Sequence, residues 1–126
     1  MVRDPFAREA PPDAAEILDV LADEDARTII RTLNEPMTAK EIQERCDIPE
    51  STLYRKLDRL TETGLLHQQT RIRRDGRHTS EYEPAFDEVT IVREEETGGF
   101  AVRIKRPRKR ADERLAELWT EVSREL

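Results

Sequence analysis

At 126 residues, with 28 acidic side chains against 22 basic ones and 40% of positions charged, the chain has room for one domain with a modest core and none for a separate sensor domain. A single cysteine excludes an internal disulfide and a zinc site built from cysteines within one chain, and no run approaches the roughly 18–20 apolar residues of a membrane span. The start MVRDPFAREAPPDAA lacks the apolar core of a signal peptide, so the composition predicts a cytoplasmic protein with no metal, no cofactor and no membrane partner.

Residues 1–12, with Pro5, Pro11 and Pro12 among mixed charges, read as a flexible arm, from which Arg3 and Arg8 could reach a groove. Ile17, Leu18, Val20 and Leu21 predict a first helix between Asp13 and Asp23. Ile29, Ile30 and Leu33 predict a second between Asp23 and Asn34. Thr38 stands three residues before Glu41, the spacing of a capping box, and opens a third helix that ends near Cys46. After Asp47-Ile48 come Pro49 and Glu50. Proline is tolerated at a helix start and an early carboxylate suits its positive end, so a fourth helix begins near residue 49. Leu53, Leu57 and Leu60 recur at i, i+4 and i+7 and face the core, which turns Thr52, Arg55, Lys56 and Arg59 outward as a cationic face. Gly64 is placed for a left-handed cap, with Leu65-Leu66 packing back on the last turn.

His67–Arg73 and His78–Tyr82 are joined through Arg74-Asp75-Gly76-Arg77, and Asp-Gly signals a tight hairpin in which both turn residues take positive φ. A second hairpin follows: Val89 and Ile91, then Phe100, Val102 and Ile104, are spaced by two around Thr97-Gly98-Gly99. Its expected role is structural or dimer-supporting. The basic run Arg103, Lys105, Arg106, Arg108, Lys109 and Arg110 has two readings, a further phosphate contact or neutralisation of Glu94, Glu95 and Glu96 across the hairpin. From Ala111 to Leu126, Leu115, Leu118 and Val122 form an amphipathic stripe with Trp119 beside it. A terminal stripe of this kind needs a partner surface, and a homodimer with Leu115, Leu118, Trp119 and Val122 in its interface is expected.

Two capped helices, a glycine stop and an arginine-tipped hairpin are the order that a winged helix-turn-helix needs. The expected fold class is therefore α+β, a winged helix-turn-helix over 13–85 with an additional β-hairpin over 86–107 and a C-terminal amphipathic helix within 108–126. On the segment TAKEIQERCDIPESTLYRKLDRLTETGLL and the hairpin after it, residues 14–84 resemble the winged-helix DNA-binding domains of ArsR-like transcriptional regulators. The stretch IPESTLYRKLDRL is similar to the recognition helix of archaeal members. The resemblance implies that the helix from Glu50 to Thr63 enters the major groove of double-stranded DNA while the hairpin straddles the neighbouring backbone. Ser51, Thr52, Tyr54, Arg55, Lys56 and Arg59 would then touch DNA from the helix, and Arg73, Arg74 and Arg77 from the wing. Metal-sensing members use several cysteines or histidines, which this chain lacks. The excess of acids, with four lysines beside eighteen arginines, also resembles the surface chemistry of proteins from extreme halophiles.

Charge supports the DNA reading: Ser51 to Thr79 carries a net +4, so the remainder of the chain carries −10. Each candidate has a plainer alternative. Arg55 and Arg59 could fork onto guanine or merely meet phosphate. Tyr54 fits a core ring with its hydroxyl outward slightly better than a base contact. Cys46 fits a buried inert thiol better than a redox sensor, and His67 and His78 fit surface positions better than metal ligands. No glycine-rich phosphate loop and no nucleophile with a base at recognisable spacing is found, so an enzyme is not expected. Two other function classes stay open: a winged helix used as a protein-interaction module of the transcription machinery, and a sensor responding to a small molecule or to oxidation of Cys46. No feature of the sequence names an effector.

Overall fold

The computed structural model describes residues 13–107, arranged as α1 (Ala14–Leu21), α2 (Glu24–Thr32), β1 (Met37–Thr38), α3 (Ala39–Arg45), α4 (Glu50–Glu62), β2 (Leu66–Ile72), β3 (His78–Pro84), β4 (Glu88–Arg93) and β5 (Phe100–Lys105). The arm over 1–12, the cations Arg108 to Arg110 and the expected interface residues Leu115, Leu118, Trp119 and Val122 lie outside the described residues.

Polar side chains set where the helices begin. Asp13 accepts from the N–H of Ala15 at 3.0 Å and of Glu16 at 3.4 Å, and Asp23 accepts from Ala26 at 3.3 Å, so α1 and α2 both start on an aspartate cap. The capping box forms as its spacing requires: Thr38 Oγ1 accepts from the Glu41 N–H at 3.2 Å, and Glu41 Oε1 accepts from the Thr38 N–H at 2.9 Å. Those bonds from Thr38, with the nearby Arg71 and Arg73 charges, hold the Glu41 carboxyl below its ordinary range. By contrast α4 opens at Pro49 without any side-chain cap. At its other end Gly64 has φ 83°, the Leu65 N–H reaches Leu60 O at 3.0 Å, and the Gly64 N–H reaches Thr61 O at 3.1 Å. This paired 6→1 and 5→2 closure needs a residue without Cβ at Gly64, and it drops Leu65 into the core.

The apolar stripes meet in one core. Ile17 and Val20 of α1, Ala26 and Ile29 of α2, Ile42 of α3, and Leu53, Leu57 and Leu60 of α4 are all buried there with Leu65, Leu66 and Tyr82. Each fully buried aliphatic side chain contributes roughly 1.5–3 kcal/mol, so the three α4 leucines are what fixes that helix on its support.

In the first sheet β3 is central, antiparallel to β1 (Met37↔Tyr82, Thr38↔Glu81) and to β2 (Leu66↔Pro84 through Ile72↔His78). Strand β1 was not expected, because two residues carry no periodicity. It exists because Thr38 caps α3 while its backbone pairs with β3. The buried Glu81 carboxylate in that ladder accepts from Gln69 Nε2 at 2.8 Å and pairs with Arg71 at 2.5 Å, and Arg71 also reaches Glu41 at 3.5 Å.

The turn of the first hairpin departs from expectation. Gly76 has φ 83°, but no residue other than glycine has positive φ among those described, so Asp75 is not left-handed. The Gly76 N–H bonds to Arg73 O at 2.9 Å, the Arg73 N–H to Arg77 O at 2.9 Å, and Asp75 Oδ1 accepts from the Arg77 N–H at 3.0 Å. That is a three-residue loop closed by one left-handed glycine, which lets Asp75 stay right-handed.

The second hairpin, β4 with β5, shares the core through buried Val102, with Val89 and Ile104 packed beside it. Arg106 fastens its end, donating to Gly64 O at 2.5 Å and Ala85 O at 2.9 Å. The expected pairing of Arg103 and Lys105 with Glu94, Glu95 and Glu96 does not occur in the register. Arg103 stands opposite Thr90 and Lys105 opposite Glu88, while Glu94–Glu96 occupy the turn. For Arg103 to face Glu94 instead of Thr90 the register would have to shift by four residues.

Candidate nucleic-acid interface

Helix α4 divides into faces once its three leucines are placed inward. At 3.6 residues per turn, Ser51, Arg55, Asp58 and Glu62 then crown the outer side, Thr52, Lys56 and Arg59 fall on one flank, and Tyr54 falls on the other. The uniform cationic face expected from the sequence is corrected accordingly. Lys56 and Arg59 lean toward α1 and α2, where Lys56 Nζ meets Asp23 at 2.8 Å and Arg59 meets Asp19 at 2.7 Å. The Lys56 hydrogen bond is the main cause that holds the Asp23 carboxyl below its ordinary range, against the opposing effect of burial. Asp19, Asp23, Arg55, Lys56 and Arg59 line a cleft of about 340 Å³, in which Lys56 and Arg59 meet carboxylates of their own chain.

The opposite flank is different in kind. Tyr54 is 46% exposed rather than a core ring, which corrects the packing reading. It lines a second cleft, of about 380 Å³, together with Thr38, Ala39, Lys40, Gln68, Arg73, Thr79, Ser80 and Tyr82. In a chain with 28 acids none of these nine lining residues is acidic, two are basic, and the remaining polar ones are neutral hydrogen-bonding groups. Burial, with smaller contributions from the nearby Asp58 and Tyr54, raises the Tyr82 phenol above its ordinary range, so it stays neutral at physiological pH. The capping box and β1 bring Lys40 to this cleft, and the β2–β3 register brings Gln68, Thr79 and Ser80.

Of the nine DNA-contact residues expected from the sequence, the fold gathers Tyr54 and Arg73 into this cleft. It leaves Ser51 and Arg55 on the adjacent crown and Arg74 and Arg77 exposed at the hairpin tip, and it turns Thr52, Lys56 and Arg59 to the acidic flank. Arg77 Nε is 3.7 Å from Asp75 within the turn. Lys40, Gln68, Thr79 and Ser80 were missed. Strand alternation from Leu66 would have indicated Gln68, but Lys40 carries no signal without the helix–sheet contact. Cys46 is buried with its sulfur 3.3 Å from Thr32 Oγ1, and no group of metal-ligating side chains is found among the described residues. No helix among them is long and apolar enough to cross a membrane.

No curated protein matches the chain. A family model described as a helix-turn-helix domain does match, over residues 21–69, from the last residue of α1 to the middle of β2. The matched span contains α3, the turn after it and α4, so in this part the chain is similar to a helix-turn-helix domain.

Proposed function

We propose that the protein is a sequence-specific, double-stranded DNA-binding transcription regulator of the ArsR-like winged-helix type, acting as a dimer on promoter DNA and not as an enzyme. In this reading residues 13–85 form the DNA-binding domain, the β2–β3 hairpin is its wing, and the C-terminal segment closes the dimer through Leu115, Leu118, Trp119 and Val122. The lysine-poor, acid-rich composition supports a cytoplasm of high salt as the setting.

The observation that carries the reading is the acid-free cleft between α4 and the hairpin. A phosphodiester strand needs cations at its edges, neutral donors along its length and no carboxylate against it, which is what Lys40, Arg73, Gln68, Thr79 and Ser80 supply. Seating a strand there brings Arg55 and Ser51 to the base edges beside it and the tip arginines Arg74 and Arg77 to the next groove. Thr52, Lys56 and Arg59 contribute only where DNA displaces Asp19 and Asp23 from them. Counterion release supplies little at high salt, so base contacts and groove shape carry more of the recognition.

One observation favours a second reading, a protein-interaction module: the crown of α4 sets Arg55 one turn before Asp58 and about two before Glu62, a mixed-charge surface. Selection of bound fragments from genomic DNA by the full chain, with Arg55→Ala and Tyr54→Ala variants alongside, separates the two. The DNA reading expects a two-fold motif, with Arg55→Ala costing about 1–3 kcal/mol and losing discrimination at one base pair of each half-site. No enriched motif, or one indifferent to both variants, overturns it in favour of the interaction module.

A further inference from the structure

Asp19 and Asp23 both meet cations of α4, but the reasons for their positions differ. Asp23 opens α2 by accepting from the Ala26 N–H at 3.3 Å, so its place against Lys56 follows from the cap. Asp19 stands in the last turn of α1, where the negative end of the helix disfavours a carboxylate and no basic residue of that turn offsets it. Among the described residues its side-chain hydrogen bond goes to Arg59, at 2.7 Å. With the two side chains 48% and 73% exposed, a pair of this kind adds little to folding. Helix stability and surface pairing therefore leave Asp19 unexplained.

The place of Arg59 on α4 supplies a reason. At about 100° per residue it lies about 40° around the helix from Arg55, one turn further on, and about 140° from Tyr54. The acid-free cleft is on the Tyr54 side, so a strand seated there approaches α4 from the flank that Arg59 turns away from. An unpaired arginine at this position would still attract phosphate whenever DNA met the crown of α4 at another angle, and phosphate contacts carry no sequence information. Asp19 gives Arg59 an anion of the chain's own, and the carboxylate sets a negative charge on the side where such an approach would come. Lys56 is closed off by Asp23 in the same way.

We propose that Asp19 is a specificity determinant: by neutralising Arg59 it denies DNA a second, sequence-independent foothold on α4 and confines binding to the flank that carries Tyr54. This rests on the DNA-binding reading above and names the residue that limits off-site binding through the same helix.

The test measures binding of full-length chains to two duplexes across a range of salt, one enriched in the selection above and one of the same length and composition with its sequence shuffled. Asp19→Asn should bind the shuffled duplex about fivefold more tightly at about 0.1 M salt, with a logarithmic salt slope steeper by about 0.9, the mark of one added phosphate contact. Its affinity for the enriched duplex should stay close to wild type, so that discrimination falls. Arg59→Ala should leave both affinities close to wild type, and the Asp19→Asn/Arg59→Ala chain should lose the gain on the shuffled duplex. Glu95→Gln removes an equal charge from the exposed turn of the second hairpin and controls for net charge. A gain in Asp19→Asn no larger than that in Glu95→Gln, or one that persists without Arg59, would overturn the assignment. So would a severalfold loss on the enriched duplex in Arg59→Ala, because Arg59 would then touch DNA in the wild-type complex; in each of these cases the DNA reading stands. A wild-type chain that binds neither duplex would remove both.

Discussion

Replacing Lys56 by methionine keeps the length of the side chain and removes the charge that faces Asp23. The ammonium lies 2.8 Å from the carboxylate, and the two side chains retain 24% and 29% of their exposure. At an effective dielectric constant of about 20 the gross attraction at that distance is about 6 kcal/mol, most of it offset by desolvation and by fixing a long side chain. Fully exposed pairs retain about 0.2–1 kcal/mol, and breaking buried ones costs about 3–5 kcal/mol. A half-buried pair such as this should therefore cost about 1–2 kcal/mol at pH 7. Urea unfolding reads this as a midpoint lowered by about 0.5–1 M for a domain of this size. Asp23→Asn completes a double-mutant cycle, because asparagine can still accept from the Ala26 N–H and keep the cap of α2. The cycle should give a coupling of about 1 kcal/mol. Lys56 lowers the Asp23 pKa in the folded state, so the stabilisation is fully present above the unfolded aspartate value near pH 4 and is lost as pH falls through the lower folded value. The penalty of Lys56→Met should accordingly shrink between pH 5 and pH 3. A coupling below about 0.3 kcal/mol, or a penalty unchanged across that range, would refute the claim that this pair anchors α4 to α2.

Arg106→Ala removes a charged donor from two backbone carbonyls and should destabilise the fold by about 2 kcal/mol, with faster amide exchange in β4 and β5; Arg106→Lys should recover only part, since both bonds come from Nη1, which lies one bond farther from the backbone than a lysine ammonium reaches. A loss under about 0.5 kcal/mol would mean that water replaces both bonds. Ile72 is 71% exposed on the same side of β2 as Gln68, so Ile72→Ala should leave stability within about 0.5 kcal/mol and weaken DNA binding about fivefold, with the salt dependence unchanged because no charge is lost. Equal affinity for both proteins would show that this part of the hairpin does not press into a groove.

The local devices were legible in the residues because each rests on chemistry within a few positions. Thr38 with Glu41, Gly64 ahead of Leu65, and the leucines of α4 each specify a helix start, a helix stop or a buried stripe without reference to the rest of the molecule. Both hairpins were legible for the same reason, though the conformation of Asp75 was not, since Asp-Gly suits more than one turn and only the closing bonds between Arg73 and Arg77 choose.

The sequence by itself determined the elements, their order and the concentration of positive charge between Ser51 and Thr79. Tertiary structure decided which of those charges are available. Periodicity places a side chain relative to its own helix axis and is blind to the neighbouring helix, so only the packing of α1 and α2 could bring Asp19 to Arg59 and Asp23 to Lys56. The seating of the α4 leucines leaves Tyr54 on an open flank, and the pairing of β1 with β3 joins Lys40 to Gln68, Arg73 and Ser80 in a cleft that no stretch of sequence contains. Sequence fixes the local conformation through short-range caps and stripes. The functional surface is a relation among side chains far apart in the chain, and it exists only after burial of the leucines has set the distances.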